Sequence, residues 1–295
     1  MRVKVLFWNY DIGKGSLMAR EPIKADPLAR IARRRDVDIL IVAECTLPTE
    51  EILKSLSAHG LAFSGTDLPH DRIRFFRRAS GPELVPVLSD ERLDFQRLTS
   101  RGFEEVLIGG VHLDDRQHTP LEQSRHSKVG LHYRTLIEAE RTVEHGRTIL
   151  VGDFNMTPNE MGMVDPENAF GAVMTWDLAR VHSDPTHGGT PRFFNPMWSL
   201  MGRSEAPGTY FWDSTDAYNI YWYCLDRVIA RPSLRGIFLD ESPAILTTIP
   251  DRVDQSIDVP LFRSAVKHWK IEFSDHPPIL FELDLREQNS GASHG

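Results

Sequence analysis

The run Thr148 to Val151, followed by Gly152, Asp153, Phe154 and Asn155, constrains this chain more than any other stretch. The apolar residues have the length of a short buried strand, and Gly152 permits a sharp exit from it. Side chains two apart on an extended segment point the same way. Asp153 and Asn155 are therefore expected to reach one pocket together. Far downstream, Ser274, Asp275, His276 and Pro277 stand just before a second apolar run, Ile279 to Leu283. Two polar clusters at strand edges, widely separated in sequence, point to an assembled active site.

The rest of the chain interleaves strands and helices. Val3, Val5 and Phe7 alternate with Arg2, Lys4 and Leu6 in a first strand ending at Asn9. Asp26 and Pro27 read as the N-cap and first position of a helix that ends at Arg33, Arg34 and Arg35. Residues 39–42 form a continuous apolar strand with Glu44 at its end. A helix over 50–58 stops at Gly60. Residues 61–111 read as several strands, at 84–88, 95–98 and 106–111, the last leading into His112. The longest helix spans 122–145, with Val129, Tyr133, Leu136, Ile137 and Val143 on one face. Thr157, Pro158 and Glu160 mark a further helix start. Residues 182–220 read as long loops, 221–230 as a strand holding Asp226, 240–265 as aperiodic, and 279–285 as a last strand. This order favours an α/β sandwich with largely antiparallel or mixed sheets and polar residues at the strand ends.

The candidate site residues run from Asn9 to His276, so one domain over 1–286 is expected, followed by a disordered tail at 287–295. A chain of 295 residues, 41% hydrophobic and 26% charged, can bury a large core without staples. No segment has the length and apolarity of a membrane span, and the N-terminus lacks a signal-peptide core. Cys45 and Cys224 read as buried free thiols of a reducing cytoplasm. The net charge of −8 argues against a nucleic-acid coat protein. It leaves room for an enzyme that meets a phosphodiester through a metal and a few local cations.

Six short strings occur in order: Trp8 to Asp11, Ala43 with Glu44, Gly110 to Leu113, Gly152 to Asn155, Leu225 to Val228, and Ser274 to Pro277. Together they resemble the endonuclease/exonuclease/phosphatase superfamily, over nearly the whole chain. That superfamily includes abasic-site endonucleases, pancreatic-type deoxyribonucleases, neutral sphingomyelinases and inositol polyphosphate 5-phosphatases. The resemblance implies a four-layered sandwich, two sheets packed face to face with helices outside. It also implies a divalent cation, Mg²⁺ with Mn²⁺ as a substitute.

Phosphodiester hydrolysis needs an activated water, neutralised phosphoryl oxygens and help for the leaving oxygen. Glu44 offers a hard oxygen suited to Mg²⁺, with Asn9 and Asp275 completing the shell directly or through water. Asp11 matches a metal-side acid of the abasic-site branch. Asp153 is the candidate to orient or deprotonate the water, and Asn155 to hold the phosphate or that water. His276 would donate to a phosphoryl oxygen, with Asp226 fixing its tautomer. His112 matches the leaving-group acid of the deoxyribonuclease and sphingomyelinase branches; the abasic-site branch usually has another residue type there.

Taken singly, Asn9 would be a cap, Glu44 a surface acid and His112 a structural histidine; it is their joint occurrence that outweighs those readings. Arg125 and Asn195 are candidate substrate contacts, against an exposed helical cation and, with Trp198, a packed aromatic loop. Arg72, Arg74, Arg77 and Arg78 alternate with Phe75 and Phe76; they read as a solvated hairpin face, the alternative being a phosphate-lining set. The expected function is a metal-dependent phosphodiesterase acting on nucleic acid without a membrane partner. The rivals are a small-molecule phosphatase of the inositol- or sugar-phosphate type and a non-catalytic binding protein on the same scaffold.

Overall fold

A strand that is apolar on both faces must be covered on both faces, and several strands of this chain are. In a computed structural model, residues 1–11, 24–65, 72–115, 119–182, 189, 192–203, 207–212, 219–264, 269–271 and 273–288 are described. In chain order the strands are β1 (Arg2–Asn9), β2 (Ile39–Ala43), β3 (Phe63–Gly65), β4 (Ile73–Arg78), β5 (Glu83–Ser89), β6 (Leu93–Thr99), β7 (Val106–His112) and β8 (Thr148–Asp153). Next come β9 (Ala172–Val173), β10 (Phe193–Phe194), β11 (Tyr210–Phe211), β12 (Trp222–Tyr223), β13 (Asp226–Ala230) and β14 (Ala244–Ile245). The last are β15 (Thr248–Pro250), β16 (Asp258–Pro260), β17 (Phe262–Ser264), β18 (Trp269–Ile271) and β19 (Ile279–Asp284). The helices are α1 (Asp26–Arg35), α2 (Thr49–Ala58), α3 (Glu122–Thr142), α4 (Met161–Val164) and α5 (Trp176–His182).

Two large mixed sheets result. One runs β14-β19-β1-β2-β4-β3, the other β5-β6-β7-β8-β13-β10-β9. β1 is parallel to β2 and antiparallel to β19; β8 is parallel to β7 and antiparallel to β13. Val3, Val5, Phe7, Ile39, Ile41 and Phe75 of the first sheet pack with Leu98, Val106, Ile108, Ile149, Val151 and Val228 of the second. On the outer face of the first sheet, Leu6, Trp8, Leu40 and Val42 meet Leu28 and Ile31 of α1 and Ile52 and Leu56 of α2. On the outer face of the second, Phe95, Leu107, Leu150 and Ile229 meet Val129, Tyr133 and Leu136 of α3. The order of layers is helix, sheet, sheet, helix, the sandwich expected. The two sheets approach closely at Gly110, where a Cβ would lie 2.6 Å from Ile73 Cγ2.

Several expectations are corrected. The N-cap of α1 is Ala25; Asp26 lies inside the first turn, 2.8 Å from Arg30 and 2.8 Å from His59. Arg74, Arg77 and Arg78 do not form a solvated hairpin face; Arg72, just before β4, is exposed. β4 lies between β2 and β3, and Phe75 and Phe76 are fully buried on opposite sides of it. Arg74 donates to the carbonyls of Cys45 and Leu47, each at 2.6 Å, while Arg77 pairs with Glu83 and Arg78 with Asp36. The stretch 182–220 holds two short strands and a 3-10 turn at Pro196–Leu200; residues 183–188, 190–191, 204–206 and 213–218 are outside the described set. The strand over 221–230 breaks into β12 and β13, and 240–265 contains short paired strands. Glu287 still bridges to Phe103, and Gln288 donates to Gly102 O at 2.8 Å; 289–295 lie outside the described residues. Both cysteines are buried and free. Among the described residues, no helix is long and apolar enough to cross a membrane.

Candidate active site

The topology delivers the polar residues to one end of the sandwich. Parallel strands end together, so β1 and β2 present Asn9 and Glu44 from the first sheet, and β7 and β8 present His112 and Asp153 from the second. Antiparallel partners begin where those strands end. Asp226 opens β13 directly opposite Asp153, and Ser274, Asp275 and His276 immediately precede β19, the partner of β1. Ligand sites at the carboxyl ends of parallel strands are the general expectation for such sheets.

The two sheets meet in a hydrogen-bonded cluster. Asn9 Nδ2 donates to Glu44 Oε1 and to Asp153 Oδ2, both at 3.1 Å. His112 Nε2 lies 2.7 Å from Glu44 Oε1. Asp153 Oδ1 accepts the Asn155 backbone N–H at 2.7 Å, and Asn155 Nδ2 donates to Leu113 O at 2.9 Å. His276 Nδ1 lies 2.7 Å from Asp226 Oδ2, which leaves Nε2 as the atom free to meet a ligand. Ser274 Oγ donates to Asn9 O, and Trp8 Nε1 to His276 O, so the loop before β19 is tied to β1.

Backbone conformation matters here. Asn155 has φ +52°, so it reaches the site through a tight turn rather than by the extended alternation expected from its spacing. Glu44, with φ +51°, is likewise held in the left-handed region, a cost that persists where surrounding structure imposes it. Gly152 serves close approach: a Cβ there would fall 1.9 Å from Val111 O on the neighbouring strand.

The electrostatics divide the site in two. Burial opposes the charge on Glu44, yet the His112 bond and charge, with the Asn9 amide, hold its pKa down to about 2. Burial also opposes the His276 imidazolium, but the adjacent Asp226 carboxylate overrides it and raises the pKa, so the pair is ionic at neutral pH. Asp275 and Asp11 are both raised by burial and by the negative charge of Glu44. This crowding of acids, together with the buried and unpartnered Asn9 Oδ1, fits a cation bound by hard oxygens. Glu44, His112 and Asp153 can bring one ligand atom each within 4.8 Å of one another, as can Asp153, Asp226 and His276. Asp275 and Asp11 lie at the margin, half-buried and exposed.

His112 has Nε2 on Glu44 and a buried, unpartnered Nδ1. Two predicted substrate contacts do not match the geometry. Arg125 is buried, 2.6 Å from Glu160 and bonded to the carbonyls of Thr119 and Pro120; it clamps two loops instead of reaching substrate. Asn195 is fully buried, and its Oδ1 accepts from Met197 N to cap the 3-10 turn. One residue escaped sequence reasoning. The Tyr210 ring lies 4.7 Å from the His276 ring, and burial with the nearby Asp275, Asp153 and Glu44 charges keeps its hydroxyl protonated. Trp212, partly exposed, stacks on Tyr210 at 6.2 Å and extends this aromatic surface outward. On the other side, beyond Glu44, His112 and Asn155, opens a pocket of about 380 Å³.

A family model described as "Endonuclease/Exonuclease/phosphatase family" matches residues 15–276. The chain belongs to this family. Among solved structures, the human Nocturnin catalytic domain with bound sulfate anion is similar at 15% identity and TM-score 0.56, over 97% of this chain and 94% of that one. An AP endonuclease from Archaeoglobus fulgidus gives 13% identity and TM-score 0.54, over 96% and 99%. The D. rerio TDP2 complexed with single strand DNA product gives 14% identity and TM-score 0.52, over 96% and 99%. At such identities the likeness extends to the fold. A search of curated proteins finds no match. The family's sandwich is the scaffold that brings both sheets' polar ends into one cluster.

Proposed function

We propose that this family member is a metal-dependent phosphodiesterase that hydrolyses nucleic acid. The observation that carries the reading is the hydrogen bond from Asn9 of one sheet to Asp153 of the other, which joins the acid cluster to the Asp226–His276 pair in one site. Glu44 and Asn9 Oδ1 would hold the cation, with Asp275 and Asp11 nearby. When bound, the cation would supply charge neutralisation at the phosphoryl oxygens and an acidified water. Asp153, its carboxylate fixed by Asn9 and Asn155, orients the attacking water and takes its proton. His276, kept cationic by Asp226, donates from Nε2 to a phosphoryl oxygen as charge builds there. Asn155 and the neutral Tyr210 hydroxyl are further donors toward the substrate. Nucleic acid is favoured by the Tyr210–Trp212 surface beside His276, since aromatic faces stack bases, and by the DNA product in the TDP2 relative. The two buried free thiols suit a reducing compartment, and we place the protein in the cytoplasm.

Plasmid, single-stranded DNA, RNA and inositol phosphates, each with Mg²⁺ or Mn²⁺ against chelator, form the test. Turnover of a nucleic acid that stops with chelator is the expected result. Turnover of inositol phosphates alone would replace the substrate with a small ester. Absence of turnover for all would support a binding protein. Asp153→Ala and His276→Ala should each lower turnover by about a thousandfold, with the folded baseline kept in circular dichroism.

A further inference from the structure

The pocket beyond the acid cluster is lined by Glu44, His112 and Asn155, by Arg72 and Arg92, which are bonded through their carbonyls to the Glu44 and His112 N–H groups, and by Leu113 and Asp115. Neither Asp153 nor His276 lines it, so it adjoins the reacting centre without being it. Its volume suits a group about the size of a nucleotide unit. The two arginines differ. Arg92 is paired with Asp114. Arg72 is exposed and has no carboxylate partner among the described residues. Its three neighbours in sequence and type are committed elsewhere: Arg74 to two backbone carbonyls, Arg77 to Glu83 and Arg78 to Asp36. The position of Arg72 is fixed by the fold, because its carbonyl accepts the Glu44 N–H at 3.3 Å where β4 starts beside the end of β2. Arg72 thus brings a positive charge to a pocket that adjoins the acid cluster.

We infer that Arg72 and this pocket bind a second phosphate, adjacent to the scissile one, so that the enzyme selects a phosphodiester chain over an isolated phosphoester. The inference rests on the phosphodiesterase reading and narrows it to polymers. A guanidinium pairs with phosphate through two parallel charge-assisted bonds. Asp115 in the same lining opposes an anion, and a cation held at Glu44 would offset that.

The test compares the trinucleotide TpTpT with an analogue of equal size in which one linkage is a neutral methylphosphonate. Wild-type protein should show kcat/KM about tenfold higher for TpTpT. Arg72→Ala should bring the ratio to about one, Arg72→Lys should retain part of it, and Arg77→Ala should leave it unchanged. A wild-type ratio near one, or an unchanged ratio in Arg72→Ala, overturns the inference while the chemistry stands. Should wild type hydrolyse neither compound, the phosphodiesterase reading fails, and calorimetric Kd values for the same two compounds decide the subsite. An affinity ratio lost in Arg72→Ala upholds it; a ratio that is absent or unchanged rejects it.

Discussion

Arg227 is the most completely buried cation in the site's surroundings. It is wholly inaccessible, lies over the Phe154 ring at 5.4 Å and donates to the carbonyls of Met156 and Cys224. Those bonds tie the exit of the turn that carries Asp153 and Asn155 to the segment that enters β13. Arg227→Met should cost about 3 kcal/mol in chemical denaturation, because it strands buried acceptors and removes positive charge from beside Asp153 and Asp226. Gly152→Ala should cost about 3 kcal/mol as well, since its Cβ collides with Val111 O and must part β7 from β8. The same denaturation measurement checks both. The core polar residues were legible because each lies in a short string at the edge of an apolar run. Tyr210 was not, since an aromatic in a Gly- and Pro-rich stretch looks the same whether it packs or lines a site. Arg125 and Asn195 misled for the converse reason: a polar residue near a site can satisfy the protein's own backbone.

At the level of elements, apolar runs such as 39–42 and 148–151 were legible as strands. β4 was not. Its arginines gave it a solvated look, although Arg74 turns its charge onto loop carbonyls and the two phenylalanines fill separate cores. The two-residue strands β9 to β12 are too short for any periodicity to report them. The Arg125–Glu160 pair couples α3 to the loop after β8, with Glu160 Oε1 also accepting from Thr157 N at 2.8 Å. Breaking it by Glu160→Ala should cost about 3 kcal/mol, as for other buried pairs that lose one partner. Hydrogen exchange should show the added opening concentrated at 113–115, 119–121 and 154–160.

For the molecule as a whole, pH acts through opposite limbs. Glu44 and Asp90 are both held down to about 2, so their contribution is present above the unfolded carboxylate range and fades as pH falls toward 2. His276 is raised to about 10, so its contribution is full below the unfolded value of about 6.5 and is lost as pH climbs through 10. Thermal unfolding in chelator should therefore give a Tm plateau at intermediate pH that falls on both sides, and His276→Gln should flatten the alkaline side. Adding Mg²⁺ at pH 8 should raise Tm, since a cation that binds only the folded acid cluster stabilises it by mass action. The layered architecture was legible from strand and helix order; the closeness of the two sheets, which rests on Gly110, was not.

The Ser274–Asn9 and Trp8–His276 bonds have a consequence for biosynthesis. Because the loop before β19 is anchored on β1, a chain still emerging from the ribosome holds Asn9, Glu44 and Asp153 long before it holds His276. On the proposed function, a nascent chain should be chemically silent until the loop before β19 has emerged, and truncation upstream of that loop should yield an inert product.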